Sequence, residues 1–235
     1  MADHYFTAQP ASQAQAHSVS YRARGIDYVV TTSDGVFSAR ELDRGTRVLL
    51  DKVPVNAAIA QASPIDTTAF ADREQSTDTS PANSIPPLCA DIGCGWGVIA
   101  FALAHEYPRA DIVAVDVNER ALELTRKNAQ ELQLSHIQTA DTATAMEIAK
   151  KHGGIDLIWS NPPIRIGKEA LHDLLLTWLA ALKPETGEAY WVVQKNLGAD
   201  SLMVWLNEQG YPSEKIASQK GFRIIRSRNT AHKRS

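Results

Sequence analysis

The sequence predicts an α/β fold: a mostly parallel sheet with helices on both faces, closed at its end by an antiparallel pair. Three observations predict it. From residue 88 onward, short apolar runs alternate with longer amphipathic ones, the pattern of strand–helix units wound into a parallel sheet. The first of these runs, Leu88-Cys89-Ala90, ends at Asp91 and enters three glycines spaced by single residues, Gly93, Gly95 and Gly97, so a buried strand turns sharply into a helix. The last two apolar runs, 215–218 and 222–226, have no helix between them and read as an antiparallel hairpin.

Taken in order, residues 1–17 are polar, rich in Ala and Gln and aperiodic, a composition that reads as disordered. Residues 18–24 and 26–31 alternate around Gly25, and Ser33-Asp34-Gly35 is a turn, which predicts a hairpin leading to Val36-Phe37-Ser38. Asp43 opens a helix to about Lys52, which Pro54 stops, and a short helix is expected within 55–62. Residues 63–87 are rich in Asp, Thr, Ser and Pro with few apolar anchors. They read as a flexible insertion between an extension at 1–62, packed on the main unit, and a main unit at 88–235.

In that main unit, a helix at 97–107 places Ile99, Leu103 and Tyr107 on one face, and Pro108 ends it. Strands follow at 111–116, 136–139, 155–160 and 189–194. The helices between and after them are at 119–133, with Leu122, Leu124, Ala129 and Leu132 as apolar positions, and at 142–151, 169–182 and 199–208. There is no internal repeat.

The 235 residues suffice for one well-buried domain of about 150 residues and an appendage. At 44% hydrophobic and 22% charged residues the chain is too polar for a membrane protein. No apolar run reaches the roughly 18 residues of a spanning helix and the N-terminus lacks signal-peptide character, so a cytoplasmic location is expected. Cys89 and Cys94 lie in the strand and the glycine turn, where free thiols are expected and no metal spacing is offered. The net charge of -3 argues against a broad nucleic-acid footprint, yet Lys215, Lys220, Arg223, Arg226, Arg228, Lys233 and Arg234 close the chain with no acid among them. That end is a candidate phosphate-binding edge, against the alternative of a solvated tail for Lys233 and Arg234.

The glycine turn carries the chemistry. Its glycines let the backbone bend tightly and approach a ligand, with the Asp91 carboxylate directed at that ligand. A dinucleotide fingerprint needs G-x-G-x-x-G, and Val98 spoils that spacing, which weighs against an NAD-dependent oxidoreductase. D-x-G-x-G-x-G instead resembles motif I of class I S-adenosylmethionine (SAM) methyltransferases. Asp116 ends the second strand of the main unit where doubly wound folds place a carboxylate on a ribose, and Asp141 stands in the corresponding place after the third. Asp141 reads equally as a helix cap. The second signal is Ser160-Asn161-Pro162-Pro163-Ile164: two prolines fix φ and remove two donors, leaving a rigid loop with free carbonyls. If Asn161 Oδ1 and the Pro162 carbonyl each accept one N–H of a planar amine, its lone pair is turned toward the sulfonium methyl, which is catalysis by positioning. It needs no nucleophile or metal.

On these residues, together with His4-Tyr5-Phe6, Gly35 to Ser38, Leu42-Asp43 with Gly45-Thr46, Val115 to Asn118, the run on to Lys168, and Gln194-Lys195 with Gly198-Ala199, the chain resembles the small methyltransferase-domain family. That family includes the bacterial 16S ribosomal RNA guanine-N2 methyltransferases. The resemblance implies a class I, Rossmann-like methyltransferase fold: a seven-stranded, mostly parallel sheet with a terminal antiparallel hairpin and an N-terminal hairpin and helix. It implies SAM held along Asp91, Gly93, Cys94, Gly95, Asp116, Val117, Asp141 and Asn161, with Asn161 and Pro162 at the target amine. Phe37, Thr46, Pro163, Ile164, Arg165 and Lys168 would meet the substrate, ribosomal RNA or the small ribosomal subunit, with no membrane or metal involved.

Two departures follow. Many amino-methyltransferases have an aromatic residue where this chain has Ile164, so base stacking falls to Phe37 or Trp96. Larger members carry a second domain that this length does not accommodate. Adenine N6 and a glutamine amide present similar amines and stay open as targets, and a non-enzymatic RNA-binding module is the remaining rival.

Overall fold

A computed structural model describes residues 15–61 and 85–230. The His4-Tyr5-Phe6 stretch, all of the 63–87 stretch before Ile85, and Lys233 and Arg234 lie outside the described residues. The chain opens with an antiparallel hairpin, β1 (Ala16–Ala23) and β2 (Ile26–Ser33). Its turn is Arg24-Gly25, both at positive φ, the twist a two-residue hairpin turn needs. Helix α1 (Arg44–Lys52) is capped by Asp43, whose carboxylate accepts from Thr46 N–H, and α2 (Ala57–Ala60) is a single turn.

Strands and helices then alternate: β3 (Leu88–Ile92), α3 (Val98–Glu106), β4 (Asp111–Val115), α4 (Glu119–Glu131), β5 (Ile137–Ala140), α5 (Thr142–Lys151) and β6 (Leu157–Ser160). The series continues through α6 (Lys168–Ala180), β7 (Glu188–Gln194) and α7 (Ala199–Glu208) to β8 (Ser213–Gln219) and β9 (Phe222–Arg228). The seven-stranded sheet runs β5-β4-β3-β6-β7-β9-β8, with β3 to β7 parallel and β9 antiparallel to both of its neighbours, β7 and β8. The helix after β3 leads to β4 on one side, while the chain from β6 leads to β7 on the other. A crevice is therefore expected at the carboxyl ends of β3 and β6.

Both sheet faces are buried, and successive residues alternate between them. Cys89, Ile112, Leu157, Trp159, Tyr190 and Val192 face one core with α3 and α1, and Leu88, Ala90, Ile92, Val113, Ile158 and Trp191 face the other with α5, α6 and α7. The N-terminal layer belongs to the first core. Val19, Tyr21, Tyr28 and Val30 of the hairpin join that cluster, Tyr28 lies 6.5 Å from Phe101 between ring centroids, and α1 lies across β7 and β9.

Two helix faces differ from the sequence expectation for this reason. α3 is buried from Val98 to Ala104 and opens to solvent only in its last turn, because the hairpin and α1 cover its outer side. On α4 the buried stripe is Ala121, Thr125, Asn128 and Ala129, while Leu122, Leu124 and Leu132 are only half-buried. The stripe is partly polar because it meets the outer edge of β2 and the glycine turn: Asn128 accepts from Thr31 N–H at 2.9 Å and donates to Thr31 O at 2.8 Å and to Trp96 O at 3.2 Å.

Candidate active site

The glycine turn sits at the carboxyl end of β3, folded back on β4: Gly93 and Cys94 N–H both donate to Val115 O at 2.9 Å. Gly93, Gly95 and Gly97 all have positive φ, and their missing side chains serve different ends. A Cβ at Gly97 would lie 2.2 Å from the Phe101 ring, so this glycine serves packing. A Cβ at Gly95 would meet nothing within 4 Å and one at Gly93 only Asn161 O at 4.0 Å, so these two leave an open cradle.

Asp91 corrects the expectation that its carboxylate points out at a ligand. It is fully buried beneath the turn, and its Oδ2 accepts from Ala100 N–H in the first turn of α3 at 2.9 Å. Its Oδ1 has no partner among the described residues. Burial pushes this carboxyl well above the usual range; the Ala100 N–H offsets part of that and nearby Asp116 adds to it. Asp116 braces the turn from β4, its Oδ2 accepting from Gly95 N–H and its Oδ1 from Asn118 N–H, each at 2.9 Å. Its pKa is raised by burial, against the opposing pull of the Asn118, Gly95 and Val117 N–H groups. Beside it Val117 is 54% exposed, an apolar side chain at the mouth of the cradle.

Two other predicted cofactor residues make contacts within the protein. The Cys94 thiol turns inward, 3.6 Å from Thr125 Oγ1, so only its backbone borders the cradle. Asp141 is the N-cap of α5, accepting from Thr144 N–H at 2.7 Å, and that bond lowers its pKa.

Asn161 stands across the crevice at the end of β6. Ser160 ties the two strand ends by donating to Ile92 O at 2.6 Å. Asn161 Nδ2 donates to Asp43 Oδ2 at 2.8 Å and to Thr46 Oγ1 at 3.0 Å, whereas its Oδ1 meets no donor among the described residues. The Pro162 carbonyl is likewise without a backbone donor. Ile164 and Arg165 lie in a 3-10 turn, and Ile164 packs onto the core of the second sheet face. Lys168 is exposed at the start of α6.

The loop at 34–43 closes over this arrangement. Asp34 O accepts from the Arg120 guanidinium at 2.7 Å, Gly35 O from Asn118 Nδ2 at 2.9 Å and Phe37 O from Trp96 Nε1 at 3.0 Å. Phe37, Leu42, Asp43 and Thr46 thus line one cavity with Gly93, Gly95 and Asn161. Phe37 is 43% exposed. Trp96, by contrast, is buried edge-on to Tyr21, with its N–H spent on the loop.

Part of the C-terminal basic edge is tied up in ion pairs. Arg223 pairs with Asp200, Arg226 with Glu188 and Glu214, and Arg228 with Glu188, so these guanidiniums are engaged within the protein. Asp43 as the anchor of Asn161 was missed by sequence reasoning. Its one sequence signal was the helix start, which gives a cap and no reason to look 118 residues onward.

No helix among the described residues is long and apolar enough to cross a membrane. The Bacillus subtilis (strain 168) uncharacterized protein YbxB is 29% identical over 97% of this chain and 99% of its own length. The ribosomal RNA small subunit methyltransferase C of Haemophilus influenzae (strain PittEE) is 35% identical over 57% of this chain, a match spanning 31% of that protein. The T. thermophilus 16S rRNA N2 G1207 methyltransferase, solved in complex with AdoMet and guanosine, shares the fold with a TM-score of 0.67 at 18% identity, over 91% of this chain and 50% of that one. The methyltransferase small domain family model matches residues 83–226, and the chain belongs to that family.

Proposed function

We propose that this methyltransferase transfers the methyl group of S-adenosylmethionine to an exocyclic amine, with guanine N2 of 16S ribosomal RNA as the target its site fits best. The observation that carries the reading is Asn161: an amide whose nitrogen is fixed and whose oxygen is open, at the crevice between β3 and β6. In this reading residues 1–62 are an extension that closes the site and 88–235 the catalytic unit.

The residues present fit the cofactor. Gly93 and Gly95 offer backbone with open space above it, Asp116 presents a carboxylate able to accept further hydrogen bonds from a ribose, and Val117 an uncovered apolar surface for an adenine ring. Asp141 at the next strand end would accept from the adenine amine with the carboxylate oxygen that does not cap α5. The unpartnered Oδ1 of Asp91 is a buried acceptor under the same turn, suited to the cationic amino-acid end. When bound, SAM supplies an electrophilic methyl on a sulfonium that leaves as a neutral thioether.

The chain's own part is to hold the amine. Asn161 Oδ1 and the Pro162 carbonyl each accept one N–H, which fixes the plane of the amine and turns its lone pair toward the methyl group. Pro162 and Pro163 keep the two acceptors rigid, so little ordering remains for the moment of transfer. Phe37 offers a ring for a base taken out of its stack.

The test is methyl transfer from tritiated SAM to 16S rRNA, to small ribosomal subunits, to DNA and to protein, followed by mass analysis of the labelled nucleoside. Label in N2-methylguanosine is expected. Label in adenine N6 or in glutamine would sink the guanine assignment, and NAD binding without SAM binding in calorimetry would sink the reaction itself.

A further inference from the structure

Asn161 is held from outside its own loop. Its Nδ2 faces Asp43 and Thr46, at the start of α1. Which end of the amide faces Asp43 is decided by chemistry: a carboxylate only accepts, so the NH2 group must meet it and Oδ1 must turn away. The carboxylate is itself fixed, because the same Oδ2 caps α1 by accepting from Thr46 N–H at 2.9 Å. Its second oxygen, Oδ1, has no donor among the described residues, and Asp43 lines the cavity together with Asn161. Gly45 keeps this corner clear: a Cβ there would stand 3.0 Å from Asp43 Oδ2 and 3.4 Å from Asn161 Oδ1.

The groups this corner leaves open are therefore acceptors only. We propose that Asp43 selects guanine, by orienting Asn161 and by accepting the N1–H that lies beside the methylated amine. The inference rests on the guanine-N2 reading above and names the residue that enforces it. Guanine carries N1–H and N2–H side by side on one edge, two neighbouring donors for two neighbouring acceptors. Adenine sets the N1 lone pair beside its N6 amine, and glutamine sets a carbonyl oxygen beside its amide nitrogen. Either would put an acceptor against the carboxylate, with a lost hydrogen bond and lone-pair repulsion in place of a match. Asp43 is thus a positioning residue toward Asn161 and a specificity residue toward the base.

The experiment first maps the wild-type methylation site, then supplies an RNA oligonucleotide carrying guanine or 2-aminopurine at that site. 2-Aminopurine keeps the amine and replaces N1–H by a lone pair. Wild type should lose about 10² or more in kcat/KM on 2-aminopurine, the scale expected when a site built for an N–H meets an analogue lacking it. Asp43→Asn keeps a competent helix cap and can present its own N–H to N1, so the guanine to 2-aminopurine ratio should fall to within about fivefold. SAM affinity by calorimetry and the melting temperature should stay near wild type in that variant, which a merely structural role would not combine with a changed ratio.

A second variant guards the orientation argument. Asn161→Asp alone sets two carboxylates face to face, and adding Asp43→Asn restores the bond in reverse, with the amide turned and the cap on Thr46 N–H given up, so the pair should recover about tenfold of the rate that Asn161→Asp loses. Should Asp43→Asn fail to fold, the wild-type ratio decides. Methylation of guanine N2 with no preference over 2-aminopurine, an unchanged ratio in Asp43→Asn, or no recovery in the exchanged pair would overturn this inference alone. Methyl transfer to a different atom would overturn the guanine reading, and this inference with it.

Discussion

The N-terminal layer, β1–β2 with α1 and the loop between them, and the C-terminal hairpin β8–β9 both reach the carboxyl end of the parallel strands, but their polar groups are spent differently. In the N-terminal layer, backbone carbonyls and one carboxylate are taken up by Arg120, Asn118, Trp96 and Asn161 of the strand–helix turns. In the C-terminal hairpin, the arginines that make the sequence look like an RNA-binding edge are paired with Asp200, Glu188 and Glu214. A segment of mixed charge therefore builds the site wall, and a segment with an obvious basic cluster uses it to hold itself together. Charge counted along a chain reports on partners only after the ion pairs inside the fold have been subtracted.

The largest effect that sharpens this contrast is expected at the junction of the N-terminal layer with the Asn161 loop. Asn161→Ala should slow methyl transfer by about 10² to 10³ while leaving SAM affinity within a fewfold of wild type, as when one preorganised polar contact to a reacting group is removed. Single-turnover rates at saturating SAM and RNA read this, and a wild-type rate would break the amine-holding role.

Next comes the attachment of the same layer. Asn128→Ala strips both Thr31 backbone groups and Trp96 O of their buried partner and should cost about 2 to 4 kcal/mol of stability in denaturant unfolding. A loss under about 0.5 kcal/mol would mean that the hairpin is carried by its apolar contacts alone.

Asp91 offers a test by pH. Burial raises its native pKa, whereas an aspartate in the unfolded chain ionises near 3.9. Above that pH the native state keeps a proton that the unfolded state has released, so this group's contribution is full below the unfolded pKa and is lost as pH rises through the native one. Asp91→Asn, which stays neutral, should gain stability relative to wild type as pH rises above about 4 in parallel melts. A flat difference would mean that the buried carboxyl ionises normally.

The smallest effects are expected at the basic edge, and they separate its two kinds of cation. Replacing Arg223, Arg226 and Arg228 by Gln should lower stability by about 1 kcal/mol and leave the salt dependence of RNA binding unchanged. Replacing Lys168, Lys195 and Lys220, exposed where β6 and β7 end and where β8 turns into β9, should flatten that salt slope by about 2, at 0.7 per phosphate. The reverse pattern would restore the arginine edge as the RNA contact.

Where local chemistry decides an element, the sequence was sufficient. α5 and α7 begin and end where periodicity and caps put them, and the glycine turn and the Asn161 loop both border the crevice. Misplaced features depend on what a segment meets across the fold. α3 carries no mark of the hairpin that covers it, and the leucines of α4 outweigh Thr125 and Asn128 on any hydrophobic count although the polar pair is buried. Asp91 reads as a ligand residue from its position in a motif, and only packing reveals that half of its carboxylate anchors Ala100.

The sharing of one core between the hairpin and α3 has a consequence in time. During synthesis the chain emerges N-terminus first at about 5 to 20 residues per second, and the helix that buries Tyr28 is complete only at Glu106. The apolar face of Val19, Tyr21, Tyr28 and Val30 is then without its cover for about 4 to 15 s after the hairpin leaves the ribosome. A two-stranded ribbon is marginal alone in water, so this stretch is the one that a nascent-chain chaperone would be expected to hold.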